Sequence, residues 1–493
     1  MQGTALKSAR NEKTPHELKN NFRSRLHLSS IMRIRRGSPM IVSFSVSNFR
    51  SFNGEETLSL VASGRLGASH PTHTVAIPGS DEKVLRACVM YGANGAGKSN
   101  LFRALEFAKS IACDARSISG DTGRQPFRLG GDASAPSCFD LQFIADSTLY
   151  RWGFKADNTR ILEEWLVRVS PGRERVVYER TTDDNGVVEV KTVATEGEKL
   201  KALATVGGPQ NQSFLATVAA TLDAENWGED LTRCLRWFQG SLILVGPSHH
   251  LGAPGAMLAA DPQFREFTGH FLSGVGTGVD RLIVEREEFP EEHLRGRLPS
   301  AEWARLLAAI ESGAKQLRVR AGNEEFLIEN RNGLHIYRMV VNAAHATGPD
   351  TTFNLDMSQE SDGTQRLLDL VPALYNNTNS EVFFVDELDR SLHPLLSKTY
   401  LRFFLDNCTA SQRQLIVTTH ESTLLDLNLL RRDEIWFIQK DENAATRIYS
   451  LADFRVRNDL SVRKHYLEGR FGAIPFVGSL ENLRENIPST PVP

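Results

Sequence analysis

Gly92-Ala93-Asn94-Gly95-Ala96-Gly97-Lys98-Ser99 is a complete G-x-x-x-x-G-K-[ST] run within a chain of 493 residues. The stretch before it, Leu85-Arg86-Ala87-Cys88-Val89-Met90-Tyr91, reads as a buried strand. The stretch after it, Asn100-Leu101-Phe102-Arg103-Ala104-Leu105-Glu106-Phe107-Ala108, spaces its apolar residues for a helix. Strand, glycine loop and helix start are the setting in which such a run cradles phosphate. The glycines let backbone amides curl around an anion, and the helix N-terminus adds partial positive charge. Lys98 is expected to reach the β and γ oxygens of a nucleoside triphosphate, and the Ser99 hydroxyl to join the shell of a Mg2+ ion. Asn100, next in the chain, is counted with the nucleotide contacts.

Far downstream, Val382-Phe383-Phe384-Val385-Asp386-Glu387 is an apolar run ending in two acids. Such a run suits a parallel strand buried on both faces, and ligands bind at the C-terminal ends of such strands. Asp386 is expected to hold the metal, directly or through water, and Glu387 to orient the water that attacks the γ-phosphate. The plainer alternative is a strand ending in two solvated acids. Ser361-Asp362-Gly363-Thr364-Gln365-Arg366 precedes the helical run Leu367-Leu368-Asp369-Leu370-Val371, where free amides and the dipole favour an anion. Gln414-Leu415-Ile416-Val417-Thr418-Thr419-His420 is a further apolar strand, tipped by an imidazole able to donate to a γ-phosphate or hold the attacking water. Taken alone, Ser361 and Gly363 would make an ordinary cap and His420 an ordinary strand end. Their order along the chain, with Leu388-Asp389-Arg390-Ser391-Leu392-His393-Pro394 between, makes an ordered set of five.

That set resembles the ABC-type ATPase head shared by SMC, RecF and OLD-like proteins, and above all a group of compact bacterial ATPases called AAA-family. The residues carrying the resemblance are Ser361 to Thr364, Asp386 to Pro394 and Thr418 to His420, with Asn48-Phe49-Arg50-Ser51-Phe52 as a first-hairpin element. It covers about residues 40 to 170 and 335 to 475. It implies an α/β P-loop NTPase fold with a mostly parallel core sheet and an antiparallel β subdomain. The long separation of Ser99 from Ser361 adds an insertion between the halves, read as helical. The resemblance also implies ATP and Mg2+ as cofactors, and a head-to-tail homodimer or an assembly of such dimers. Each nucleotide then lies between one subunit's phosphate loop and the other's Ser361 helix, with Gly363 and Asp389 among its contacts. One departure is that no clear glutamine-bearing loop follows the first helix, and Gln125 before Pro126-Phe127 is the one candidate.

Composition fits an intracellular soluble chain. Net charge is −3, so no global basic field advertises nucleic acid, although a local patch is left open. Five scattered cysteines without C-x-x-C spacing point to reduced thiols, and no apolar run reaches the length of a membrane span, so a cytoplasmic protein is expected. Residues 1–39 carry nine Lys/Arg against Glu12 and Glu17 and read as a basic disordered extension, with strand periodicity beginning at Met40. Residues 40–194 read as the first half of the head, 195–334 as a mainly helical insertion, 335–477 as the second half, and 478–493 as a disordered tail. Leu200 to Leu203, Ser213 to Leu222, Asp230 to Phe238 and Ala301 to Leu317 are the helices expected in the insertion, which lacks the heptads of an SMC arm. His70, His73 and the His249-His250 doublet have no partners at metal-ligand spacing. Only 73 residues follow His420, too few for a fused nuclease domain, which needs on the order of 100. The function expected is Mg-dependent ATP hydrolysis that drives dimerisation and controls a separate effector protein, in bacterial anti-phage defence or a toxin-like system. A nucleotide-gated scaffold without catalysis and a RecF-like DNA-repair head are the alternatives.

Overall fold

Strand β5 (Ala87–Tyr91) shows why the apolar runs are continuous. Cys88 and Met90 enter one hydrophobic core, while Ala87, Val89 and Tyr91 enter another on the opposite face. A strand covered on both faces has no polar side to show in its sequence. A computed structural model describes residues 38–116, 120–192, 197–247, 254–311, 313–322, 324–331, 333–348, 351–375, 381–455 and 461–474. The expected basic extension, apart from residues 38 and 39, lies outside these, as do the His249-His250 doublet and the tail 478–493.

In chain order, β1 (Met40–Ser47), β2 (Glu56–Ser59), β3 (Thr74–Ala76) and β4 (Lys83–Leu85) precede β5 and the long helix α1 (Lys98–Cys113). Then come β6 (Ser137–Ala145), β7 (Thr148–Ala156), β8 (Ile161–Ser170), β9 (Arg173–Thr182) and β10 (Val188–Thr192). The Asp183-Asp184-Asn185-Gly186 turn joins β9 to β10, with Gly186 at φ +80°. These strands form a seven-stranded antiparallel sheet in the order β10-β9-β8-β7-β6-β1-β2. Its inner face packs on α1 and on helices α2 (Glu198–Val206), α3 (Phe214–Thr221) and α4 (Glu229–Arg236).

The core sheet has six strands in the order β11-β17-β18-β5-β19-β20. They are β11 (Leu242–Val245), β17 (Val382–Val385), β18 (Gln414–Thr419), β5, β19 (Ile435–Lys440) and β20 (Thr446–Ser450). All neighbours pair in parallel except β19 with β20. Val382 and Phe384 of β17 face the first core, Phe383 and Val385 the second. The Phe102 ring of α1 meets Phe384 edge-on at 5.4 Å, which seats the phosphate-loop helix on the acidic strand. The Gln414 side chain bonds the backbone N–H and C=O of Ile41 and the carbonyl of Leu85, fixing the first strand to the core sheet.

The insertion departs from the expectation of a mainly helical 195–334. Helices α2 to α4 share the core of the seven-stranded sheet, and β11 is an edge strand of the core sheet itself. After α5 (Pro254–Ala260) and α6 (Pro262–Gly274) comes a five-stranded antiparallel sheet: β12 (Arg281–Glu288), β13 (Gln316–Ala321), β14 (Glu324–Asn330), β15 (Leu334–Gly348) and β16 (Thr351–Asp356). Between β12 and β13, α7 (Glu291–Arg297) and α8 (Ser300–Glu311) cover it with a small core of Leu294, Trp303, Leu306, Phe326 and Ile328. The helix expected to run to Leu317 stops at Glu311, because Gly313 at φ +98° ends it and residues 316–321 turn to strand alternation. The chain then returns through α9 (Asp362–Leu370) to β17, with α10 (Pro394–Ser411) leading into β18. Among the described residues no helix is long and apolar enough to cross a membrane.

Candidate functional site

The loop 92–97 leaves the buried end of β5 and turns directly into α1. Two glycines explain its shape. A side chain on Gly92 would strike the Ile438 carbonyl, and one on Gly97, at φ +117°, would strike Thr446. Gly95 also lies at positive φ but faces open space. Asn94, Gly95 and Ser99 are exposed, Ala93 and Asn100 half-buried, and Ala96 and Lys98 buried. The loop backbone is thus presented outward while its lysine is tucked beneath.

Lys98 Nζ donates to the carbonyls of Gly92 at 2.6 Å and Ala93 at 3.1 Å, and sits 3.3 Å from Nδ1 of His420. Burial lowers its pKa to about 8, against the opposing charges of Asp386, Asp389 and Glu387. The His420 imidazole also titrates below its ordinary value, through burial first and then the neighbouring Lys98 charge. The imidazole and the ammonium thus lie side by side beneath the loop. On its backbone side, His420 N–H lies 3.2 and 3.3 Å from the two carboxylate oxygens of Asp389.

Asp386 is buried at the end of β17, where its N–H donates to Val245 of β11 and its Oδ1 accepts from Thr418 Oγ1 at 2.6 Å. Glu387 is half-buried with φ +54°, a left-handed conformation for a non-glycine residue. Its N–H donates to Thr418 Oγ1 at 2.8 Å. Lys98, His420, Asp389, Asp386 and Glu387 are therefore brought together by β5, β17 and β18.

Ser361 is placed differently. It is exposed and caps its own helix, its Oγ accepting from Thr364 N–H at 3.1 Å. Among the described residues its side chain bonds only Thr364. Gly363 has a reason within the same chain, since a Cβ there would lie 2.8 Å from the Ser391 carbonyl. Gln125 is exposed at its side chain, but its carbonyl accepts from Arg50 N–H at 2.6 Å, and Arg50 Nη1 donates to Asn100 at 3.1 Å. That leaves the glutamine candidate beside the first-hairpin element and the α1 start.

Sequence reasoning assigned no role to four residues of this cluster. Thr418 bridges the two acids, and Arg366 reaches the acidic strand from the Ser361 helix. Ser51 and Thr446 tie the first hairpin and β20 to the loop, Thr446 Oγ1 lying 2.9 Å from the Ala96 carbonyl and 2.7 Å from Ser51 Oγ. Thr418 and Arg366 stood inside quoted motifs, whereas nothing local to Thr446 marks it.

A family model described as "AAA domain, putative AbiEii toxin, Type IV TA system" matches residues 88–426, from β5 past His420. The chain belongs to this family. Its members are nucleotide-binding ATPases of the P-loop class, in keeping with the loop and sheet described above. No curated protein matches the chain. Among solved structures it is similar to the SMC head domain from Thermotoga maritima, at 14% identity and TM-score 0.35 over 83% of this chain and 98% of that one. It is also similar to an SMC head bound to the C-winged helix domain of ScpA, at 10% identity and TM-score 0.39 over 83% and 97% of the two chains.

The depressed Lys98 pKa gives a first expected result. Triphosphate binding favours the charged ammonium, so affinity should be flat up to pH about 8 and then fall, approaching tenfold per pH unit. Lys98→Arg, always charged, should lose this inflection. Nucleotide Kd measured from pH 7.5 to 9.5 decides, and an inflection surviving in Lys98→Arg would assign it to another group.

Proposed function

We propose that the chain hydrolyses ATP with magnesium at a site shared between two copies, and that the resulting assembly and release control a separate effector protein. The carrying observation is an asymmetry within one chain. Lys98, Asp386, Glu387, Asp389 and His420 converge on the phosphate loop, while the Ser361 hydroxyl is exposed and, among the described residues, bonded only within its own helix start. A second copy that offers its Ser361 helix would add helix-N-terminal amides to the γ-phosphate.

Ser99 and Asp386 suit the metal. The Ser99 side chain is exposed at the helix start, and Asp386 Oδ2 has no hydrogen bond among the described residues. Magnesium bound with the triphosphate supplies charge neutralisation at the transferred phosphoryl group. Lys98 exchanges the Gly92 and Ala93 carbonyls for phosphate oxygens. Glu387 orients the attacking water and takes its proton, while His420, neutral and held by Asp389, donates to the γ-phosphate. The toxin–antitoxin wording of the family description supports a place in bacterial defence or a toxin-like system.

Phosphate release by the purified chain tests this. If two copies complete each site, turnover per chain should rise with protein concentration and then level off as dimers fill. Turnover per chain that stays constant down to concentrations at which light scattering shows only monomer would rule out the shared site. No turnover at all would rule out hydrolysis.

A further inference from the structure

Arg366 is the one residue of the quoted Ser361 motif whose side chain leaves its own helix for the acidic strand. It is only 6% exposed. Its Nη2 lies 3.2 Å from the carbonyl oxygens of both Asp386 and Glu387, and its Nη1 lies 3.4 Å from that of Gly246, just past β11. The guanidinium thus spans the ends of two neighbouring core strands.

Its target is the strained residue of the site. Glu387 adopts φ +54°, which for a side-chain-bearing residue persists only where the surroundings over-determine it. The restraints can be named. Thr418 Oγ1 takes the Glu387 N–H, Thr418 O takes the Leu388 N–H, and Arg366 holds the Asp386 and Glu387 carbonyls. With both sides of the peptide held, the carboxylate has only its own side-chain torsions left to vary. The helix that carries Arg366 is itself anchored on its other flank. Gln365 Nε2 donates to the carbonyls of Ser358 at 3.2 Å and Glu360 at 2.8 Å, and the Glu360 carboxylate pairs with His345 of the inserted sheet at 2.5 Å.

We infer that Arg366 is a positioning residue for Glu387, making the aim of the water-orienting carboxylate depend on where the Ser361 helix of the same chain sits. This rests on the proposed hydrolysis. It adds a connection inside one subunit: the helix offered to a second copy's nucleotide is joined by one buried side chain to its own chain's carboxylate. A shift of that helix on closure is passed to Glu387 without any nucleotide contact.

The test uses the full chain with ATP and magnesium. Arg366→Gln should lower kcat on the order of 10²-fold, with nucleotide Kd within about threefold of wild type, because a misplaced catalytic group costs rate and leaves phosphate-loop binding alone. Arg366→Lys should recover part of the rate, since an ammonium reaches some of the carbonyls. The deciding measurement is the double-mutant cycle. In a Glu387→Gln background, Arg366→Gln should change residual turnover by no more than about twofold, because the group it positions is already gone. A loss that multiplies fully with Glu387→Gln, or an Arg366→Gln chain with wild-type kcat, overturns the inference and leaves the hydrolysis reading standing. A wild-type chain without turnover removes the hydrolysis reading, and this inference with it. If Arg366→Gln does not fold, Arg366→Lys carries the same cycle.

Discussion

Glu387→Gln is expected to bind ATP at least as tightly as the wild-type chain and to hydrolyse it on the order of 10²–10⁴-fold more slowly. The substitution keeps the size of the side chain, and the backbone at 387 is held by Thr418 and Arg366 rather than by the carboxylate. Fold and loop should therefore be undisturbed. What is lost is a base, because an amide cannot accept the proton of the attacking water. The sign of the binding change follows from electrostatics. Glu387 is one of three acids whose charge acts on Lys98, so its removal leaves the pocket less negative toward a triphosphate. Equilibrium nucleotide binding and single-turnover phosphate release measure the two effects separately. Wild-type turnover in Glu387→Gln would remove this residue from the chemistry, and weakened binding would mean that the carboxylate helps to shape the loop.

The parts of this site legible in the sequence are those whose environment is local or two-faced. Val382-Phe383-Phe384-Val385 and Leu415-Ile416-Val417 had to be apolar throughout because successive residues enter opposite cores. Gly92 and Gly97 had to be glycines because Ile438 and Thr446 stand where a Cβ would go. The same logic applied to Leu242-Ile243-Leu244-Val245, but four apolar residues without a flanking motif do not announce a core strand. The inserted sheet was illegible for another reason. Arg281–Glu288 holds three Glu and two Arg, which favour helix in isolation, beside Leu282 and only two β-branched residues, Ile283 and Val284. Its strand state is set by pairing with β15, where Glu287 lies opposite Arg338 and joins it in an ion pair. A partner that distant in sequence lies outside any local window. Arg366 was hidden in the same way, since no pattern distinguishes a buried arginine that satisfies carbonyls from one that faces water.

Mixing two inactive variants should restore activity if the site is shared. Lys98→Ala removes the charge that pairs with the phosphates and should abolish nucleotide binding in its own loop. Ser361→Arg places a bulky cation at the exposed helix start that a second copy's nucleotide would meet. It also gives up the cap to Thr364, at a cost of about 1 kcal/mol. The helix should survive that loss, because Leu367, Leu368 and Leu370 are buried beneath it. Ser361→Arg should therefore keep wild-type ATP binding as a monomer and lose turnover. In a mixed dimer one site combines both defects. The other joins an intact phosphate loop from the Ser361→Arg chain to an intact Ser361 helix from the Lys98→Ala chain. With random pairing half the dimers are mixed and half their sites are whole, so an equal mixture should recover about a quarter of wild-type turnover per chain. Recovery that scales with the product of the two concentrations would tie it to pairing. A mixture as inactive as its components, with both variants folded and the Ser361→Arg loop binding ATP, would mean that each chain completes its own site. Ser361 would then act on the nucleotide of its own chain, because the loss of a helix cap worth about 1 kcal/mol would not by itself stop turnover.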